Sequence, residues 1–180
     1  VPFHYFGITD ESGVDLKDSE NLTPDQIAKR LSVHRRVDFI IEKMNYYGHD
    51  GLKRKALGFC MTIAHAEFMA EEFNKRGIPS IALSGGDKVS KRESYTKLLE
   101  AEDSDLEVIF TVDIFNEGID IPGVNLVMML RPTQSSIVFT QQLGRGLRKK
   151  DNKEFLTVLD FIGNYSKSFL IAIALNGRRF

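Results

Sequence analysis

The stretch Leu106-Glu107-Val108-Ile109-Phe110-Thr111-Val112 is a short, mostly apolar and β-branched run, which predicts a buried strand. It continues into Asp113-Ile114-Phe115-Asn116-Glu117-Gly118-Ile119-Asp120-Ile121-Pro122, where polar and turn-forming residues interrupt the apolar pattern. Ligands of open α/β sheets bind beyond the carboxyl ends of the strands, so this strand end is a candidate ligand site. A purely structural alternative makes Asn116-Glu117-Gly118 a turn and Asp120 a loop carboxylate. That alternative explains the glycine but not the whole string.

Similar strand patterns recur along the chain and alternate with helical patterns. Further strands are predicted at residues 56–61, 79–83, 124–130 and 155–161. Helices are predicted to begin at the capping box Thr23-Pro24-Asp25-Gln26, near residue 33, at the N-cap Thr62, at a second capping box Ser90-Lys91-Arg92-Glu93, at Ser135 or Ser136, and near residue 164. Five strands alternating with helices predict an α/β fold with a mainly parallel sheet that is covered on both faces.

A second informative stretch is Gln141-Gln142-Leu143-Gly144-Arg145-Gly146-Leu147-Arg148. It places two arginines three residues apart, on roughly one face of a helical turn. Phosphoryl transfer needs positive charge directed at oxygens that gain charge in the transition state, and the planar guanidinium binds phosphate through two donors. The alternative is a basic helix end whose charges complement the helix dipole, and Lys149 and Lys150 fit that alternative.

Composition limits the classes of function. The chain has 180 residues with 42% hydrophobic residues, which suits one domain with a substantial core. Lys and Arg number 24 against 25 Asp and Glu, so any phosphate-binding surface must be a local patch. Cys60 is the single cysteine, which excludes an intrachain disulfide and predicts a buried apolar role for it. No segment is long and apolar enough to span a bilayer and no signal peptide precedes the domain, so we expect a cytoplasmic protein. The first residue is Val1, which suggests a piece of a longer chain.

The phosphate loop of nucleotide-binding enzymes is absent from the sequence. There is no G-x-x-x-x-G-K-[ST] string, and Gly85-Gly86-Asp87-Lys88 has the wrong spacing. Tyr5-Phe6-Gly7-Ile8-Thr9-Asp10-Glu11 resembles a strand that ends in a magnesium-binding Asp-Glu pair, but no phosphate loop precedes it. We therefore interpret it as an edge strand followed by a loop. No metal site is expected in this chain.

The two motif-like stretches, in this order and spacing, resemble motifs V and VI of the superfamily-2 helicases and translocases of the DEAD/DEAH type. Leu57-Gly58-Phe59-Cys60-Met61-Thr62 resembles motif IV, Ser84-Gly85 resembles motif IVa, and Asp160-Phe161-Ile162-Gly163-Asn164 is similar to the bacterial branch that includes motor subunits of type I and type III restriction enzymes. The resemblance covers residues 53–165. It implies a RecA-like three-layer sandwich, the second of two motor domains.

The resemblance also implies roles for single residues. Arg145 and Arg148 would be catalytic, with Arg148 as the arginine finger. Nucleotide contacts are implied for Gln141, Gly118 and Asp120, and nucleic-acid backbone contacts for Thr111, Thr62 and Gly85. Each has a plainer alternative, such as a helix N-cap for Thr62 and a helix-surface glutamine for Gln141. We interpret His65 as a surface histidine and Lys88, Lys91 and Arg92 as a solvated helix start.

The predicted function follows from the same resemblance. The chain would be the second motor domain of an ATP-dependent helicase or translocase, completing the ATP site in trans with an N-terminal RecA-like domain of the same polypeptide. ATP with Mg²⁺ would serve the full-length protein, none would bind tightly to this chain, and the chain alone would be inactive. DNA is favoured over RNA as the substrate, with no membrane partner. The alternative function is a non-catalytic α/β module that binds nucleic acid or protein. Residues 1–52 are predicted to be a helical connector, and residues 53–180 the helicase domain.

Overall fold

The computed structural model describes residues 2–9, 11–13, 21–112, 121–131 and 153–161. Its centre is a sheet of six strands in the order β1-β6-β5-β2-β4-β3, and every pairing between neighbours is parallel. The strands are β1 (Phe3–Gly7), β2 (Ala56–Phe59), β3 (Ser80–Leu83), β4 (Val108–Thr111), β5 (Leu126–Met129) and β6 (Leu156–Asp160). The predicted parallel sheet is therefore confirmed, and so is the edge position of the strand that contains Tyr5.

Four helices belong to the described part of the chain: α1 (Pro24–Leu31), α2 (His34–Tyr47), α3 (Ile63–Lys75) and α4 (Val89–Glu100). The capping box at Thr23 is confirmed, with reciprocal hydrogen bonds between Thr23 and Gln26. The second predicted capping box is wrong. Helix α4 has Lys88 as its N-cap without a side-chain hydrogen bond, because the backbone is already helical at Val89, one residue before Ser90. None of these helices is long and apolar enough to cross a membrane.

Apolar residues cover both faces of the sheet, because successive strand residues point to opposite sides. On one face, residues of α2 and α3 such as Met44 and Phe73 pack against strand residues such as Phe110. On the other face, Leu99 of α4 packs with Ile109 and Val127. Helices therefore flank the sheet on both sides, which confirms the predicted three-layer architecture.

The strand register aligns the carboxyl ends of the central strands. Phe59 at the end of β2 is level with Thr111 of β4 and with Met129 of β5. Leu83 at the end of β3 is level with Thr111 as well. The loops that leave these four strands therefore start from one edge of the sheet, which we call the carboxyl edge.

Residues 1–52 contribute both to the sheet and to its cover. Strand β1 pairs with β6 at the edge, and Val37, Ile40 and Met44 of α2 are fully buried on the sheet. The predicted division at residue 52 into connector and domain stays a prediction, since these contacts do not measure whether either part folds alone.

Candidate functional site

The carboxyl edge brings together the three predicted nucleic-acid contacts in the described part of the chain. Thr62 follows β2, Gly85 follows β3 and Thr111 ends β4. These strands are adjacent in the order β2-β4-β3. The three residues come from different parts of the sequence, and the parallel register alone aligns them.

Thr62 caps α3. Its hydroxyl oxygen accepts a hydrogen bond of 3.1 Å from the backbone N–H of His65. A residue with this role stands where the first N–H groups and the positive end of the helix dipole favour an anion. Thr62 is partly exposed, so the structural role and a phosphate contact are compatible at this position.

Gly85 lies in an exposed turn between β3 and α4. Asp87 shapes the turn, because its carboxylate accepts a hydrogen bond of 2.8 Å from the N–H of Ser84. Lys91 pairs with the same carboxylate at 2.7 Å, and this hydrogen bond lowers the pKa of Asp87. Lys88 and Lys91 are exposed as predicted. Arg92 is not, since it is 4% exposed, so the prediction of a fully solvated helix start is wrong there.

Thr111 is fully buried at the end of β4. Its carbonyl oxygen accepts a hydrogen bond of 2.8 Å from Cys60, whereas its hydroxyl has no hydrogen-bond partner within the described ranges. A fully buried hydroxyl meets a nucleic-acid phosphate only if the atoms that cover it move. The predicted contact of Thr111 stays a prediction and carries this condition.

His65 is fully buried, and the prediction of a surface histidine is wrong. The side chain shares the buried side of α3 with Met69 and Phe73, which follow at intervals of four residues. Its Nδ1 accepts a hydrogen bond of 3.1 Å from the N–H of Met61. Burial and the nearby charge of Arg36 lower the pKa of His65 to about 3, so the ring is neutral with a proton on Nε2. Cys60, by contrast, is buried as predicted.

Arg36 is a charged residue at this edge that sequence reasoning missed. Its side chain is fully buried, and Nη2 donates a hydrogen bond of 3.3 Å to the carbonyl oxygen of Leu130, just after β5. A signal was available in the sequence, because Arg36, Ile40 and Met44 are spaced four residues apart on one side of α2. An arginine that shares the spacing of apolar residues on one side of a helix is a candidate for a buried cation.

The nucleotide-binding and catalytic residues predicted from the sequence lie outside the described residues, namely Gly118, Asp120, Gln141, Arg145 and Arg148. The chain enters their two segments from Val112, after β4, and from Arg131, after β5. Their roles stay predictions.

Positive charge is present where those segments begin. Burial raises the pKa of the Cys60 thiol, while the charges of Arg36 and Arg131 act in the opposite direction. Arg36 is fully buried, whereas Arg131 is partly exposed, so the charge of Arg131 suits an anionic ligand such as a nucleotide phosphate. In the described ranges, no group of three or more His, Cys, Asp or Glu side chains is arranged to hold a metal ion.

A cavity of about 610 Å³ lies at the opposite, amino end of the strands. Its walls come from the loops before β2 and β4 and mix both signs of charge, with Lys53 and Arg54 on one side and Glu102 and Glu107 on the other. None of the predicted site residues lines it. We therefore place the candidate site at the carboxyl edge.

Comparison with known proteins identifies the family of the chain. Residues 36–150 match the family model of the helicase conserved C-terminal domain. IRC3 of Saccharomyces cerevisiae, whose name places it among ATP-dependent helicases, is 29% identical over 126 residues, which is 70% of this chain and 18% of IRC3. The type I restriction enzyme EcoKI endonuclease subunit of Escherichia coli is 30% identical over 137 residues, which is 69% of this chain and 12% of that subunit. The chain thus spans less than a quarter of either relative.

Solved structures share the fold. A fragment of an HsdR subunit of a type I restriction enzyme from Vibrio vulnificus matches 93% of this chain, and the match covers 32% of that fragment, with a TM-score of 0.65 and 15% identity. The structure of the E. coli DEAD-box protein SrmB matches 100% of this chain, and the match covers 86% of the SrmB chain, with a TM-score of 0.63 and 16% identity. Because this family model matches more than half of the chain, the chain belongs to the helicase conserved C-terminal domain family.

Proposed function

We propose that this chain is the second motor domain of an ATP-dependent nucleic-acid helicase or translocase. It completes an ATP site in trans with a first RecA-like domain of the same polypeptide, and its carboxyl edge contacts the nucleic-acid backbone. The observation that carries the proposal is the convergence of Thr62, Gly85 and Thr111 at the ends of three adjacent strands, within a chain of the helicase C-terminal family.

The proposed division of labour follows from the chemistry of each group. The N-terminus of α3 beside Thr62 and the exposed backbone at Gly85 offer N–H groups to phosphate oxygens. Such contacts follow the backbone and carry no sequence information, so binding should tolerate any sequence. DNA is the proposed substrate, and a cytoplasmic location is part of the same proposal.

The nucleotide side of the proposal rests on residues outside the described ranges. ATP with Mg²⁺, bound mainly by the first domain, supplies the phosphoryl group that is transferred to water. Arg145 and Arg148 would stabilise charge on the phosphate oxygens, and Gln141, Gly118 and Asp120 would position the nucleotide. The sequence lacks a phosphate loop, so the isolated chain should bind ATP weakly and should not hydrolyse it.

The test measures ATP hydrolysis by the full-length protein, without nucleic acid and with single-stranded DNA, duplex DNA or RNA, beside the isolated chain. We expect turnover in the full-length protein, stimulation by DNA, and no turnover above a heat-treated control in the isolated chain. The logarithm of the binding constant for nucleic acid should fall linearly with the logarithm of the salt concentration. If the full-length protein hydrolysed no ATP with any of these nucleic acids, the result would support the alternative, a non-catalytic binding module.

A further inference from the structure

We propose that Arg36 is a positioning residue, which fixes the end of β5, the strand after which the sequence continues toward Arg145 and Arg148. The role in turnover rests on the proposed function, whereas the positional role does not. The inference starts from a structural oddity, a fully buried guanidinium on the sheet-facing side of α2.

Burial of this arginine carries a desolvation cost. Transferring a charge from water into a protein interior costs free energy, and well-packed apolar residues often stabilise a fold as well or better. Arg36 stands beside Val37 and Ile40, which are fully buried apolar residues, so a methionine or leucine would suit packing at this position. What distinguishes Arg36 from these apolar neighbours is a guanidinium that donates hydrogen bonds in a fixed geometry.

The contacts of Arg36 define that geometry. Nη2 donates to the carbonyl oxygen of Leu130, whose own N–H donates at 3.0 Å to Phe59 at the end of β2. Leu130 is thus held on one side by the sheet and on the other by α2. The next residue, Arg131, opens the segment that leads to the two proposed catalytic arginines.

The same guanidinium lies near the loop after β2. Burial raises the pKa of the Cys60 thiol and lowers the pKa of His65, and the charge of Arg36 opposes the first shift and adds to the second. Within the turn Cys60-Met61-Thr62 the Met61 N–H is tied to His65, and Thr62 caps α3. The turn is thus held by its own hydrogen bonds, and the hydrogen bond of Arg36 to Leu130 acts on the end of β5.

Misplacement of a catalytic group by about 1 Å can cost about 10²-fold in rate, so loosening the end of β5 should reduce turnover. It should not remove the binding groups themselves. The signature of a positioning role is thus a lower kcat with little change in the KM for ATP or in nucleic-acid affinity.

The test compares Arg36→Met and Arg36→Lys with Arg76→Met in the full-length protein. Arg76 is the matched control, because it too is an arginine that connects α2 with another element, through 2.7 Å contacts with Asp38 of α2 and Glu72 of α3, but its contacts do not involve β5. Amide hydrogen exchange of the peptide that spans residues 126–150 is measured at equal intervals below the Tm of each variant, together with kcat and KM.

We expect Arg36→Met to accelerate exchange in that peptide by about tenfold and to lower kcat by about 10- to 100-fold. Arg76→Met should change neither. Arg36→Lys keeps the charge, so its changes in exchange rate and in kcat should be smaller than those of Arg36→Met. It also provides the measurement if Arg36→Met fails to fold. Unchanged exchange, or equal exchange in the Arg36 and Arg76 variants, would overturn the positioning role. Faster exchange in a protein that never hydrolyses ATP would retain the positioning role and refute the proposed motor function.

Discussion

The N–H of Cys60 donates a hydrogen bond of 2.8 Å to the carbonyl oxygen of Thr111, so the ends of β2 and β4 are fixed side by side. This contact extends the parallel ladder one residue past Phe59 and sets the distance between the loop that holds Thr62 and the strand end that holds Thr111. The backbone of Thr111 is thus engaged in the sheet, while its hydroxyl has no partner among the described residues.

Replacing Thr111 by valine should separate the role of its backbone in the sheet from the proposed role of its hydroxyl in binding. Valine keeps the shape and removes a buried hydroxyl whose unsatisfied state costs about 1–3 kcal/mol. The unfolding free energy of Thr111→Val should therefore stay the same or rise by about 1 kcal/mol, while nucleic-acid affinity falls severalfold if the hydroxyl contacts phosphate. Denaturant unfolding and a binding titration measure the two effects.

Thr96→Val is the control for Thr111→Val. The Thr96 hydroxyl is also buried but donates at 2.9 Å to the carbonyl oxygen of Glu93, so its loss should lower the unfolding free energy by about 0.5–1.5 kcal/mol. Equal losses in both variants would mean that the hydroxyl of Thr111 is satisfied inside the folded protein.

Thr62 allows helix capping to be separated from phosphate binding. Aspartate is as good an N-cap as threonine, so Thr62→Asp should preserve stability, whereas Thr62→Ala should lose about 1 kcal/mol. The new carboxylate would repel a phosphate at the same place, and nucleic-acid binding by the full-length protein should fall well below that of the parent.

Thr23→Asp provides the matched control, because Thr23 also caps a helix and the change adds the same charge. If Thr62→Asp and Thr23→Asp weakened binding equally, the effect would come from net charge, and Thr62 would be an N-cap alone.

Gly58→Ala should destabilise the centre of the sheet. A Cβ at Gly58 would come within 2.5 Å of the ring of Phe110, which packs edge-on against Phe73 with ring centroids 4.8 Å apart. The ring cannot move away freely, so the cost should be that of an overpacked core, about 1–3 kcal/mol. Gly86→Ala is the control, since the nearest atom to its Cβ would lie 3.7 Å away in an exposed turn. A stability change within about 0.5 kcal/mol in both variants would contradict the prediction.

Glu72 gives the fold a defined acid sensitivity. Its carboxylate accepts hydrogen bonds from Arg76, Lys75 and His34, which lower its pKa from 4.5 to about 2. A carboxyl whose pKa is depressed in the folded state stabilises the protein above its unfolded pKa and loses that contribution as the pH falls through its folded pKa. The stability advantage of the parent over Glu72→Gln should therefore be full above pH 4.5 and shrink toward pH 2.

Denaturant unfolding of both proteins across this pH range measures the difference. Glu71→Gln serves as the control, because Glu71 is exposed and contacts only Lys75 among the described ion pairs. A parent-to-variant gap that stays constant with pH would refute the assignment to Glu72.

Local sequence signals predicted most of the fold. Short, mostly apolar runs located β2 to β6, and side-chain caps at Thr23 and Thr62 located the starts of α1 and α3. The start of α4 was missed because the helix begins at Val89 without a side-chain cap, and Ser90, the predicted N-cap, stands two positions after the actual N-cap Lys88. The strand order depends on contacts between distant segments, which periodicity does not contain.

The places of Thr62 and Gly85 at the carboxyl edge were predictable, because each follows a strand that the sequence indicates, whereas their contacts with nucleic acid stay predictions. The candidate site was not predictable where burial defines it. His65 and Arg36 carry polar side chains, which usually indicate a surface, yet each occupies the sheet-facing side of its helix. Their burial becomes evident only once α2 and α3 are placed on the same face of the sheet.

Arg148→Lys addresses the proposed motor function most directly. The resemblance to motif VI assigns Arg148 as the arginine finger, a group that supplies about 10³- to 10⁵-fold in rate in other phosphoryl-transfer enzymes. Lysine keeps the charge but loses the planar fork with two donors, so ATP turnover by the full-length protein should fall by orders of magnitude. Binding of nucleic acid without nucleotide should persist, because its proposed contacts lie on the loops after β2, β3 and β4.

Lys150→Ala, a nearby loss of charge outside the motif, should keep turnover near that of the parent. If both variants stayed within a few-fold of the parent, Arg148 would be a surface cation, and the motor proposal would lose its catalytic arginine.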